Sequence, residues 1–249
     1  MRRALAVGLA AALLAACTKE TSRPPPPRDG RLGAQRCTGK PGPKNTVKPL
    51  LQRPFDGQYP VYNLFDHDLP LPGEIRAATV ADKELTYCGI QALGLAEGYP
   101  GYAFGLPEGT PVLAAADGEV IAAGTAPPFA CPLTMRLVDD QQAVDLRHDT
   151  LGGVGYITRY VHLSSVSVKP GDKVVAGQRL GLSGRSGCAL QPLLYFEVKR
   201  LTGTRTGSPT VVDPYGWDGP GDDPWAKNER GAESAYLWKD GEAPTLRAK

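Results

Sequence analysis

The chain has 249 residues, 41% of them hydrophobic, with 28 Lys plus Arg against 26 Asp plus Glu and a formal net charge of +2. That length and apolar content suffice for a sizeable core, and a balance so close to neutral argues against a nucleic-acid binder that works through charge. Gly 30 and Pro 24 against 7% aromatic residues predict short strands and many turns, so a β-dominated fold is expected rather than a helical one.

Residues 1–16 open with Arg2-Arg3 and continue as the apolar run Ala4 to Ala16, too short to span a bilayer as a mature helix and of the form of a signal peptide. The run ends Leu14-Ala15-Ala16-Cys17, which resembles the bacterial lipobox, so Cys17 is expected to carry lipid and anchor the mature chain to a membrane. Thr18 rather than Asp follows it. In a bacterium with an outer membrane that points to outer-membrane sorting, facing the periplasm. Loss of Arg2 and Arg3 with the signal would leave the mature chain neutral. Residues 17–36 carry Pro24 to Pro27 in a row and form no core. They read as an extended tether, about 3.1 Å per residue in the polyproline regime.

Beyond Cys17, four cysteines remain: Cys37, Cys88, Cys131 and Cys188. An even number in an exported chain predicts two disulfides with three possible connectivities. Cys37 with Cys88 and Cys131 with Cys188 is preferred, because the first pair brackets one N-terminal segment and the second lies in loops of the later β region. A cysteine zinc site is disfavoured, since no CxxC occurs.

Residues 37–96 read as a lead-in of short strands and loops. Within it Asp66-His67-Asp68 invites a metal reading, but without a supporting cluster it is better taken as a solvent-facing turn. Next comes Glu97 to Val120, with Pro107-Glu108-Gly109-Thr110-Pro111-Val112 as a turn into a strand and Asp117-Gly118 as a hairpin signal. Strands are predicted over Thr134 to Val138 and Ala143 to His148, with His148 exposed at the end of the second. From Tyr156 to Leu163 and from Leu193 to Val198 the residues are aromatic and β-branched, bounded by Gly or Pro, as buried strands are. Between them Lys169-Pro170-Gly171-Asp172 is a turn.

The strings YVHLSS, VKPGDKVVAGQRLGLSG and LLYFEV, preceded by the segment from Glu97, resemble the LytM or lysostaphin-type zinc metallopeptidases over about residues 97–200. The resemblance implies an antiparallel β-sandwich, barrel-sandwich-like LytM domain (a duplicated hybrid motif), and a family zinc site. Tyr99 stands where the family has its first histidine ligand, Ala103 where it has the aspartate and Tyr195 where it has the second histidine of HxH. Leu193 occupies the position of the base. Only His162 keeps the family residue. A catalytic zinc needs about three His, Asp or Glu ligands, and a phenol with pKa near 10 is a poor substitute. No cofactor is therefore expected, and no catalytic residue beyond the residual His162. Tyr99, His162, Leu193 and Tyr195 are expected to form an aromatic and aliphatic groove suited to a peptide, or to fill the space the metal left.

Residues 201–249 hold all three tryptophans, Trp217, Trp225 and Trp238, and are expected to pack on the domain, fraying from about Asp240. The resemblance thus implies a catalytically inactive envelope lipoprotein whose partner is a peptidoglycan stem peptide or a cell-wall amidase. The alternative is a zinc metalloendopeptidase cleaving peptidoglycan cross-links through atypical ligands such as His67.

Overall fold

The computed structural model describes residues 47–68, 76–77, 84–92, 94–149, 154–201, 209–228 and 231–246. Residues 1–46, on which the expected signal peptide, tether, Cys17 lipidation site and Cys37 fall, lie outside them. Alternation along the strands decides the architecture. In Gly155–Val161, Tyr156, Thr158 and Tyr160 are all but fully buried on one face, as are Leu194, Phe196 and Val198 in Leu194–Leu201 and Val144 and Leu146 in Gln142–Asp149. A period of two puts each set on one side of the sheet, where together they make the core.

Eleven strands matter for the site: β1 (Val61–Asn63), β2 (Tyr102–Phe104), β3 (Pro111–Leu113), β4 (Gly118–Thr125), β5 (Gln142–Asp149), β6 (Gly155–Val161), β7 (Leu163–Val166), β8 (Lys173–Val174), β9 (Arg179–Ser183), β10 (Leu194–Leu201) and β11 (Pro209–Val212). The large sheet runs β1-β2-β10-β6-β5-β4-β8, with β11 also on β10, and the small one runs β7-β9-β3. All of these pairings are antiparallel. The mainly β, antiparallel fold expected from the sequence is the fold observed. No helix among the described residues is long and apolar enough to cross a membrane.

Three local expectations need correction. Asp117-Gly118 is not a hairpin tip, because β3 pairs in the small sheet while β4 pairs in the large one; the turn carries the chain between sheets. The strand expected over Thr134 to Val138 is only Leu137–Val138, paired with Phe129–Ala130. The run from Tyr156 to Leu163 is broken at His162, whose φ of 70° lies in the left-handed region that a non-glycine residue seldom enters. That corner sends the chain out of the large sheet as β6 and into the small sheet as β7. The Lys169 to Asp172 turn is as expected, with Asp172 N–H donating to Lys169 O at 3.1 Å and Lys169 N–H to Asp172 Oδ2 at 3.0 Å.

His148 is also not exposed: it is fully buried, because residue 148 falls on the inward face of β5. Its Nδ1–H donates to Asp117 O at 2.7 Å, while Nε2 meets Thr158 Oγ1 at 2.7 Å. Burial holds its pKa below the ordinary value, so it serves as a neutral linker. Thr158 Oγ1 lies 2.9 Å from Tyr160 OH, which accepts from Ala115 N–H at 2.8 Å. The network satisfies the polar groups between the two sheets.

The lead-in and the tail close on each other. Leu51 forms a parallel bridge with Trp238, both fully buried, and Lys239 N–H donates to Leu51 O at 2.8 Å. Trp225 is buried too, its Nε1–H donating to Val211 O at 2.7 Å. From Gly241 to Leu246 the chain is pinned rather than frayed: Arg53 N–H donates to Glu242 Oε2 at 3.2 Å, Arg53 Nη2 to Gly241 O at 3.1 Å, and Leu246 is buried.

Cys131 and Cys188 form the expected disulfide, with Cα atoms 5.5 Å apart and a sequence separation of 57. Cys88 is also disulfide-bonded; its expected partner Cys37 lies outside the described residues. A loop of that length corresponds to about 4 kcal/mol of chain entropy. The Cys131→Ser, Cys188→Ser double variant is expected to lose about 2–5 kcal/mol in denaturant unfolding. A loss below about 0.5 kcal/mol would show that the two loops are held together without it.

Candidate functional site

Tyr195 and Ala103 face each other directly across β10 and β2, and Tyr195 also pairs with Val161 on β6. The close approach of β2 needs Gly101: a Cβ there would lie 2.6 Å from Phe196 O and 2.8 Å from the Tyr195 ring. Tyr99 is set by Asp66, whose N–H donates to Tyr99 O at 2.9 Å and whose Oδ2 accepts from Gly98 N–H at 3.1 Å. The Tyr99 and Tyr195 rings then meet edge to face with centroids 5.2 Å apart. His162 stands at the corner between the sheets, its ring centroid 6.5 Å from that of Tyr195 and its Nδ1–H donating to Ser186 O at 2.8 Å. Leu193 bridges to Gly184, two residues before the Ser186 whose carbonyl His162 contacts. Tyr99, Ala103, His162, Leu193 and Tyr195 are therefore brought together at one place, where the two sheets diverge.

The chemistry of this donor set does not fit a zinc ion. Burial raises the pKa of Tyr99, with the charges of Glu84 and Glu197 adding to it, and burial followed by Glu197 raises that of Tyr195 well above the ordinary value. Both phenols therefore stay protonated, and Tyr195 OH donates to Glu197 Oε2. Ala103 and Leu193 offer no donor atom. His162 has one ring nitrogen free of the Ser186 carbonyl, and a single imidazole nitrogen is not a ligand set. Among the described residues no group of three or more His, Cys, Asp or Glu is placed to hold a metal.

His67 lies elsewhere and contradicts the solvent-facing reading: it is fully buried. Its Nε2 is 2.9 Å from Asp213 Oδ2 and its Nδ1 2.8 Å from Asp223 Oδ1. Burial raises the pKa of Asp213, but the His67 ring, Tyr215 N–H and Tyr102 OH all oppose that shift; against two ionised carboxylates, whose oxygens only accept, both ring nitrogens carry protons and the ring is an imidazolium. Burial opposes that charge, but the hydrogen bonds and charges of Asp213 and Asp223 prevail and push its pKa up to about 9. Tyr102 OH and Tyr215 N–H complete Asp213 at 2.9 and 2.8 Å, and Trp225 N–H and Ser234 N–H complete Asp223 at 3.0 and 2.9 Å. Phe65 and Trp217 pack on the ring. With both nitrogens engaged, His67 is not available as an atypical metal ligand. It is a staple joining the lead-in to the tail. Asp213 and Asp223 were not foreseen in this role; each precedes a proline, but nothing local connects them to a histidine about 150 positions away.

Residues 97–210 match Peptidase family M23. The chain is 38% identical over 95 residues to peptidoglycan DD-endopeptidase ShyA of Vibrio cholerae, a stretch that is 38% of this chain and 19% of that protein. It is 35% identical over 108 residues to the cell division protein DipM of Caulobacter vibrioides, covering 43% and 14%. It is 33% identical over 121 residues to the murein hydrolase activator EnvC of Escherichia coli, covering 49% and 24%. The chain thus spans a quarter or less of the length of each of these relatives.

Proposed function

We propose, from the match of residues 97–210 to Peptidase family M23 and from the chemistry of the side chains at its ligand positions, that the protein is a non-hydrolytic, lipid-anchored component of the bacterial envelope that binds peptidoglycan stem peptides or a cell-wall hydrolase, as scaffold or activator. The observation that supports this reading is the pairing of Tyr195 with Ala103 and Tyr99, a neutral aromatic wall made by the residues that the family resemblance aligns with its metal ligands. Tyrosines of this kind suit a peptide, offering broad apolar area and a polar tip with few rotamers to freeze. Tyr99 and Tyr195 each keep part of their surface exposed although their phenol groups are buried, so what the wall offers a ligand is chiefly ring surface. The relatives that the chain matches include both a protein named an endopeptidase and one named a hydrolase activator, so a non-hydrolytic role has a counterpart among them. The rival reading, hydrolysis through atypical ligands, draws on the endopeptidase relatives.

Titration of the protein with a soluble stem tetrapeptide tests the proposal. Saturable binding is expected, weakened about tenfold or more by Tyr195→Ala, since loss of an aromatic anchor costs 2 kcal/mol or more at a hot spot. Absence of saturation up to millimolar peptide, together with no binding to a cell-wall amidase, would overturn it.

A further inference from the structure

The register fixes what lies beside the tyrosine wall. Along the face of the large sheet that carries Tyr195, the next row reads Glu197 on β10, Arg159 on β6 and Asp145 on β5, directly paired from strand to strand. Lys199 follows Glu197 on the same face. Two of these four charges are already spent: Glu197 accepts from Tyr195 OH at one oxygen and meets Lys199 Nζ at 2.9 Å with the other. Arg159 is different. Its only polar contact among the described residues is Nη1 to Asp145 Oδ2 at 3.6 Å, too long for a hydrogen bond, and its side chain is 29% exposed. A guanidinium has five N–H donors in a planar fork, so nearly all of this one's donor capacity is unused. Arg159 stands two residues before Val161, the cross-strand partner of Tyr195, so it adjoins the tyrosine wall on the same face.

We propose that Arg159 is the carboxylate-reading residue of the groove, taking a carboxylate of the bound peptide into its free fork while the peptide's apolar part lies on Tyr195 and Tyr99. The inference rests on the peptide-binding reading above and adds its specificity. A planar bidentate match between guanidinium and carboxylate gives both energy and orientation, which an ammonium in the same place would not. Lys199 is the less suitable partner because Glu197 already holds it.

The test is a binding titration at low salt with one stem tetrapeptide in three forms: the free acid, its C-terminal amide, and a form amidated at the side-chain carboxylate. Wild type is expected to bind the free acid about tenfold or more better than one of the two amides, and the weaker amide identifies the carboxylate read. Arg159→Gln is expected to bind all three alike, at the level of the weaker amide; Arg159→Lys is expected to keep part of the preference. A merely structural defect would weaken all forms together and leave their ratio unchanged. Equal binding of all forms by wild type, or an undiminished preference in Arg159→Gln that folds with the wild-type circular dichroism spectrum, would overturn the assignment while leaving peptide binding intact. Failure of wild type to bind any form would overturn peptide binding itself, and the assignment with it.

Discussion

Replacing His67 by alanine is expected to lower the stability of the domain by about 3–5 kcal/mol, the cost of leaving a buried charge without its partner. Here two carboxylates lose it at once: Asp213 and Asp223 keep their backbone and tyrosine donors but face an empty site between Phe65 and Trp217. At roughly 2–4 °C per kcal/mol for a chain of this size, Tm should fall by about 10 °C. The same staple gives stability a pH dependence whose sign follows from the raised pKa. Its contribution is complete below the ordinary value of 6.5 and is lost as pH rises through about 9. The span between those values corresponds to about 3 kcal/mol. Denaturant unfolding between pH 6 and pH 10 should show the decline in wild type and a much flatter curve in His67→Ala. A loss below 1 kcal/mol on substitution, or wild-type stability that rises over this range, would contradict the imidazolium.

The second large effect is a gain. Tyr99→His, Ala103→Asp, Leu193→His and Tyr195→His in one variant are expected to create stoichiometric zinc binding. Positions 103 and 195 are direct cross-strand partners, and the rings at 99 and 195 already meet at 5.2 Å, so the new ligands would converge without moving the backbone. Complete zinc ligand sets in small peptides reach about 10–16 kcal/mol of apparent affinity at neutral pH, whereas any one of these substitutions alone should leave binding weak. Micromolar or tighter zinc by calorimetry in the fourfold variant is the expected result. A folded fourfold variant with no zinc affinity would mean that the strands no longer hold the family geometry.

How much of this could be read in the sequence depends on the range of the interaction. The apolar period of β6 and β10 and the Pro-Gly turn at 170 and 171 are local signals, and they place the ends of the central strands to within about three residues. The cleft residues could be identified because their string resembles a known pattern, and the fold brings them together. His67 and His148 were misread for one reason: a polar residue beside acids looks exposed until its distant partners are known, and those partners come from Asp213, Asp223 and Thr158. Asp117-Gly118 was misread because a turn signal states that the chain reverses, not which sheet it then joins. The isolation of Arg159 was beyond local reading altogether, since it depends on which of four charges across three strands are already paired.

Digestion of purified peptidoglycan sacculi by the wild-type protein with added zinc tests non-hydrolytic binding most directly. With neutral phenols at 99 and 195, alanine at 103 and leucine at 193, cross-linked stem peptides should remain uncut, at the level of a protein-free control and indifferent to a chelator. Zinc-dependent loss of cross-links, abolished by the chelator and unaffected by His67→Gln, would show that the protein hydrolyses peptidoglycan after all.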